Sequence, residues 1–406
     1  MKYHIITYGC QMNESDSERI AAELNRIGHK PIKADSSAEA LAKADLIVLN
    51  ACSVRQAAID RVFGKIQQLA GRKKIIVAGC LLEADRKKLA GQVEFWLPDK
   101  YFNCHPLRQG RFSAFVPIMT GCNNFCSYCV VPFTRGREKS RPAEEIINEI
   151  KSLIKKGYKE IILLGQNVNS YCDAQINFPS LLKTISDLPG KFWLSFLTSH
   201  PKDMSDELIA TIAKCERITP YIHLPVQSGD NAILKKMNRH YTVARYRNLI
   251  KKIRAAFKKH RPSFPPLAVS TDLIVGFPGE SKKQFENTVK LARQIGFDMI
   301  YFAKYSPRPG TAAARLKDDV PPQEKKFRAQ KINDILKKTA LAQNRKYFGE
   351  TVEVLIDKIK KNNAFGHAAA NKTVKLPAGK LQAGNLIKVK IISATSWGLE
   401  GKKRAA

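Results

Sequence analysis

Acidic residues are scarce in this chain: 36 aspartates and glutamates stand against 69 lysines and arginines, a formal net charge of +33 over 406 residues. An excess of that size points to a polyanionic partner such as nucleic acid. Long apolar runs are missing too, and no segment reaches the roughly 20 residues that a membrane-spanning helix needs. The first residues, MKYHIITYGC, enter a strand-like pattern at once and carry no signal-peptide signature. These absences set the expectation of a cytoplasmic protein without a membrane. Nine cysteines in so long a chain, kept in a reducing compartment, do not form a disulfide framework. Metal binding accounts for them better.

The stretch 119–142, MTGCNNFCSYCVVPFTRGREKSRP, carries three cysteines in a C-x3-C-x2-C spacing: Cys122, Cys126 and Cys129. Soft thiolates favour zinc or an iron–sulfur cluster. A structural zinc or a plain ferredoxin cluster wants a fourth ligand nearby, and the next cysteine is Cys172. A 4Fe–4S cluster on three cysteines leaves one iron open to the amino and carboxylate groups of S-adenosylmethionine. With the aromatic Tyr128 before the third cysteine, the segment resembles that of the radical S-adenosylmethionine enzymes. A structural site is the alternative that the cysteines alone leave open.

Strand and helix signals alternate through the first hundred residues, which predicts a doubly wound parallel sheet. Three of the strands, KYHIITYGC, ADLIVLNAC and KKIIVAGC, end in Cys10, Cys52 and Cys80. Ligands in open α/β sheets gather at the carboxyl ends of strands, so a second three-cysteine cluster is expected there, with ordinary buried cysteines as the bland alternative. TYGCQMNESDS, NACSVRQAA and VAGCL are similar to the cluster-binding segments of the methylthiotransferase family, apart from Ala51, where relatives usually have threonine. Cys104, Cys172 and Cys215 match no ligand segment and read as structural.

After a polar hinge around 107–111, repeated βα units predict a full or partial barrel with chemistry at the strand C-termini. GQNVNSY, HLPVQSG and STDLIVGFPGE occupy strand ends in family order. The resemblance implies S-adenosylmethionine contacts at Tyr128, Gly165, Gln166, Asn167, Gln227, Ser228 and Gly276. Arg135, Arg137, Lys139 and Arg141 form a basic cluster, read either as a solvated loop or as an anion site near the cofactor. His200 and His223 lie at strand ends, and no proton-transfer residue is assigned. A long basic helix from about 324 to 346 precedes alternating strands that resemble the TRAM domain, a small RNA-binding β barrel. GHAAANK (366–372) departs from the family's arginine-containing phrase, which puts RNA contact by this module in question.

The resemblance thus implies three domains: a methylthiotransferase N-terminal domain (1–108), a radical S-adenosylmethionine core (112–342) and a TRAM-like domain (345–406). It implies two 4Fe–4S clusters and S-adenosylmethionine as cofactors. One cluster would generate a 5′-deoxyadenosyl radical that breaks an unactivated C–H bond, and the other would deliver sulfur. The phrases TYGCQMN and VVPFTRGRE favour the branch acting on isopentenylated adenosine beside the anticodon. Branches acting on threonylcarbamoyladenosine or on a ribosomal protein aspartate are the alternatives, and a non-enzymatic RNA-binding protein is the reading outside the class. Expected partners are a tRNA anticodon stem-loop, an electron donor such as flavodoxin or ferredoxin, and a sulfur donor, with the enzyme a monomer.

Overall fold

The computed structural model describes residues 1–404, apart from 34, 35, 54, 55, 109, 111 and 175. The expected hinge at 107–111 therefore includes two residues, Gln109 and Arg111, that lie outside the description. The first unit is a five-stranded parallel sheet: β1 (Lys2–Thr7), β2 (Lys30–Pro31), β3 (Leu46–Cys52), β4 (Lys74–Cys80) and β5 (Glu94–Trp96), in the order β2-β1-β3-β4-β5. Between the strands run α1 (Gln11–Arg26), α2 (Ser37–Lys43), α3 (Gln56–Leu69) and α4 (Glu83–Lys88). Because helices cover both faces of the sheet, LIVLNAC in β3 is buried along its whole length instead of alternating.

The second unit begins with β6 (Ser113–Pro117), β7 (Met119–Thr120), α5 (Val131–Thr134) and β8 (Lys139–Ser140). It continues as α6 (Ala143–Lys155), β9 (Glu160–Leu164), α7 (Phe178–Ser186), β10 (Trp193–Phe196), α8 (Asp206–Lys214) and β11 (Tyr221–His223). The unit closes with α9 (Asn231–Lys236), α10 (Val243–His260), β12 (Ala268–Val275), α11 (Lys282–Ile295) and β13 (Met299–Lys304). β6, β9 and β10 form one parallel sheet and β11, β12 and β13 another. Among the described residues one parallel bridge, Leu194 to Ile218, joins the two into an open barrel wall. The expected full or partial barrel is a partial one.

At the joint with the first unit, three arginines converge on one carboxylate. Arg108 and Arg141 bond Glu149, Arg19 lies 3.9 Å from it, and all four side chains are nearly buried. Burial alone would raise the Glu149 pKa, but the three guanidinium groups outweigh it and hold the carboxyl below its usual range.

α12 (Pro322–Arg345) buries Lys325, Arg328, Ile332, Ile335, Leu336, Ala340 and Asn344, the stripe of a helix lying along the barrel. Five strands then close a small barrel, β14 (Thr351–Lys360), β15 (Asn363–Ala368), β16 (Thr373–Pro377), β17 (Leu386–Ala394) and β18 (Leu399–Lys403), in the order β14-β15-β16-β18-β17. It sits on the N-terminal ends of the larger barrel's strands. Lys372 pairs with Asp298 at 2.6 Å, Lys159 donates to the Gly384 carbonyl at 2.6 Å, and Tyr221 and Ala268 enter the small barrel's core. The GHAAANK phrase is built into this seam: Ala368 and Ala370 are buried there and Lys372 is the buried cation of the Asp298 pair. Ala368 and Ala370 fill the barrel, and Ala369 between them is half-buried.

His367 ties the seam electrostatically, with Nε2 3.1 Å from Glu160 and Nδ1 3.0 Å from Asp357. Burial disfavours its charge, yet the hydrogen bonds to Asp357 and Glu160 win and raise its pKa to about 10. A raised histidine pKa stabilises the fold fully below its ordinary value near 6.5, and that stability fades as pH climbs toward 10. The melting temperature of the chain should therefore fall between pH 7 and pH 10 by about 2–4 °C more than that of His367→Gln. Parallel melting curves for the two proteins would show this histidine to be inert at the seam.

Candidate active site

Both cysteine triads sit at strand C-termini. Cys52 and Cys80 are register partners at the ends of β3 and β4, and Cys10 caps α1 after neighbouring β1. The tight approach requires glycine. Gly79 has φ +87°, and a Cβ there would strike the Asn50 side chain and come within 2.5 Å of the Ala51 carbonyl oxygen. Beneath the thiols lies a polar floor. Asn13 Nδ2 donates to Asn50 Oδ1 at 2.9 Å and to the Ala51 carbonyl at 3.0 Å, while its Oδ1 accepts from the Cys10 N–H at 3.3 Å.

The second triad lies in the loop after the barrel's first strand. Gly121 (φ +77°) lets the chain turn against the Arg137 carbonyl, which a Cβ would overlap. The loop between α9 and α10 clamps it from outside. Ser127 donates its N–H to the Met237 carbonyl and its hydroxyl to that of Lys236, and Asn238 donates to Phe125. Arg239 donates to Cys126 Sγ at 3.3 Å and to the Pro225 carbonyl at 2.9 Å.

The two triads are linked. Arg135, at the end of α5 in the loop of the second triad, donates Nε–H to Cys80 Sγ at 2.8 Å and Nη2–H to Asp16 at 2.5 Å. Nearby opens a cavity of about 670 Å³ between the units. α3 contributes Gln56, Ala57 and Asp60; Tyr128 and Cys129 come from the cysteine loop; Gln227, Asp272, Tyr301 and Arg308 come from the barrel wall. Arg308 Nη1 donates to Gln56 Oε1, joining the two walls, while its Nε–H is buried without a partner.

The donor chemistry fits iron–sulfur clusters. Burial pushes Cys80 and Cys129 up to about 12, Cys80 despite the Arg135 guanidinium beside it, so each is a neutral thiol unless a stronger cation binds the sulfur. A metal centre supplies that cation and displaces the proton. Among the described residues no three His, Cys, Asp or Glu side chains converge tightly enough for a single ion. Buried polar atoms also lack partners around both triads: Ser53 Oγ, Asp16 Oδ1 and Arg135 Nη1 at the first, Gln166 Oε1, Asn167 Oδ1 and Ser199 Oγ at the strand ends near the second.

The residues expected to touch S-adenosylmethionine are placed unevenly. Tyr128 and Gln227 line the cavity, and Gln227 is held at φ +69° by backbone bonds with Asp272 and Ile274. Gly165, Gln166 and Asn167 follow β9, with Asn167 Nδ2 on Asp203 at 2.8 Å. The Ser228 hydroxyl turns to Thr288 on α11, and Gly276 packs its Cα against Lys325, so neither side lines this cavity.

The other side chains singled out in the sequence divide between buried partners and open surface. The basic cluster does not act as one anion site, because Arg135 and Arg141 are consumed by Asp16 and Glu149; Arg137 stacks on Phe125 and is exposed, as is Lys139. Cys172 is exposed and does not pack in a core. His200 is buried and pushed down to about 2 by burial and by Arg239, so it stays neutral and accepts from the Lys202 N–H. His223 bonds Ser270 at 2.8 Å and lies 3.5 Å from Asp272. Sequence reasoning missed Asp16, Arg239 and Arg308 as parts of the site. Arg239 lies in the loop between α9 and α10, outside the strand ends on which the sequence reading placed its candidates.

Residues 116–292 match the model of the Radical SAM superfamily, and residues 2–97 match that of Uncharacterized protein family UPF0004. Among solved structures, the radical S-adenosylmethionine methyltransferase TsrM of Kitasatospora setae aligns with a TM-score of 0.52 at 12% identity, covering 77% of each chain. The cobalamin-dependent radical enzyme OxsB aligns at 0.50 with 10% identity, covering 84% of this chain and 55% of that one. Likeness at such identity concerns the fold alone. Fold, cysteine loop and superfamily match together define a radical S-adenosylmethionine enzyme, a class that works with that cofactor and 4Fe–4S clusters. The tRNA-2-methylthio-N(6)-dimethylallyladenosine synthase of Clostridium novyi (strain NT) is 38% identical over 447 residues, covering 99% of this chain and 96% of that protein. The synthase of Thermoanaerobacter pseudethanolicus is 38% identical over 446 residues, covering 98% and 92%. The chain belongs to this family of radical methylthiotransferases.

Proposed function

We propose that the chain methylthiolates C2 of N6-isopentenyladenosine beside the anticodon of tRNA. The observation that carries this is the bond from Arg135, in the loop of one triad, to Cys80 of the other, beside a cavity walled by both units. Cys122, Cys126 and Cys129 would hold the cluster that binds S-adenosylmethionine, and Cys10, Cys52 and Cys80 a second cluster for the sulfur. When bound, the first supplies a radical able to break a C–H bond that acid–base catalysis cannot, and the second supplies sulfur.

The chain's own part is positioning. Tyr128 and Gln227 bound the cofactor side of the cavity, with Gly165, Gln166 and Asn167 as further cofactor contacts, while Ser228 and Gly276, turned to Thr288 and Lys325, would shape the loops behind it. Asp272 and Tyr301 face the space left for a base splayed from its loop. We divide the chain at 1–108, 112–342 and 345–406 and read the last unit as a TRAM-like RNA-binding module. Lys388, Lys390, Lys402 and Lys403 on its exposed strand positions suit a phosphate backbone. No helix among the described residues is long and apolar enough to cross a membrane. A cytoplasmic monomer served by flavodoxin or ferredoxin and by a sulfur donor completes the proposal.

The test is a comparison of tRNA nucleosides by mass spectrometry in a strain lacking the gene and after its return. Loss of 2-methylthio-isopentenyladenosine with accumulation of isopentenyladenosine, reversed by the gene, is the expected result. Loss of the methylthio group from threonylcarbamoyladenosine instead would overturn the substrate and keep the chemistry.

A further inference from the structure

We infer that Arg135 is a positioning residue for the cluster on Cys10, Cys52 and Cys80, holding that cluster's charge in place from the loop of the other triad. The inference rests on those cysteines being cluster ligands. Three observations carry it. The guanidinium donates Nε–H to Cys80 Sγ at 2.8 Å, and a charged donor on a ligand sulfur stabilises negative charge there. Its Nη2–H is fixed by Asp16 at 2.5 Å, with the two side chains 1% and 0% exposed. Its Nη1 is buried without a partner, as is Asp16 Oδ1. Buried polar groups are almost always bonded, so an unpaired guanidinium edge beside a ligand thiol points to an acceptor such as the inorganic sulfide of a cluster.

A buried ion pair could merely hold two units together, but the geometry asks for more than that. A seam ion pair has no use for a thiol, and Arg108, Arg141 and Glu149 already serve the seam elsewhere. Arg135 instead spends one edge of its fork on the ligand. Reduction adds one electron to a cluster, and a cation bonded to its ligand favours the reduced form. Removing the cation should lower the potential of that one-electron step, and removing the Asp16 anion should raise it.

The experiment uses the full chain with Cys122, Cys126 and Cys129 all replaced by alanine, loaded anaerobically with iron and sulfide and titrated with dithionite against mediator dyes. Iron and sulfide contents and the electron paramagnetic resonance signal report the remaining cluster. Into this background go Arg135→Gln, Asp16→Asn, and the double change Arg135→Met with Asp16→Asn, which leaves no buried charge unpaired should the first fail to fold. We expect the midpoint potential to fall in Arg135→Gln, to rise in Asp16→Asn, and to fall in the double variant relative to Asp16→Asn. Potentials that coincide, with only thermal stability lost, would reduce Arg135 to an interface residue and overturn the inference. A parent that loads no four-iron cluster would overturn the ligand assignment itself, an outcome told apart by its missing iron and sulfide.

Discussion

Returned to a strain lacking the gene, a copy carrying Cys122→Ala restores no 2-methylthio-isopentenyladenosine to tRNA. The expected loss is complete to the limit of mass spectrometry, because uncatalysed cleavage of the bond falls short of enzymes by a factor of about 10⁶ or more. The protein still accumulates and still binds iron, at a reduced content, through the other triad. Folding survives because Cys122 is only partly buried and its sulfur is held by Asn124 alone among the bonds described, the side chain at 3.4 Å and the backbone beside it. Cys172→Ala serves as the control: that thiol is exposed, lies in neither triad, and its loss leaves nucleoside levels unchanged. Full restoration by Cys122→Ala would detach the reaction from the cysteine loop.

The second large effect is on stability. Arg328→Met should cost about 3–5 kcal/mol in denaturant unfolding, the usual penalty for stranding one partner of a buried ion pair. Arg328 and Glu280 are 3% and 1% exposed, joined at 2.8 Å, and the same carboxylate accepts the Gly276 N–H at 2.7 Å. Burial raises the Glu280 pKa, opposed by the Gly276 N–H and by Arg328. Without the guanidinium, the carboxyl rises further and protonates, so the variant's deficit should shrink as pH falls. Glu280→Gln with Arg328→Met should recover most of the loss. A single variant as stable as the parent would mean the pair is solvated and that α12 does not brace the 276–280 turn.

Much of this was legible in the sequence because strand ends are where parallel sheets carry chemistry. The runs KYHIITYG, ADLIVLNAC and KKIIVAGC fell where β1, β3 and β4 stand, and their terminal cysteines met on one edge. The long basic helix expected from about 324 to 346 is α12, Pro322–Arg345. Side-chain destinations were not legible. A run such as RGREKSR reads as a mostly basic loop, yet Arg135 turns inward to Asp16, 119 positions away, while Arg137 stays out. Periodicity within a segment has no memory of such distant partners. The same holds for His367, whose pairing with Glu160 exists only once the small barrel docks.

The small barrel rests on the strand starts, whereas the cysteines occupy the strand ends, and α12 runs along the wall between. Its 24 residues measure about 36 Å. That helix is a ruler. A molecule gripped at both ends of it must itself extend that far, which a mononucleoside cannot and a folded hairpin of RNA can. Were the small barrel to hold the phosphate backbone as proposed, oligonucleotides too short to span that length would reach the cavity or the barrel alone and would leave sooner than a full stem-loop.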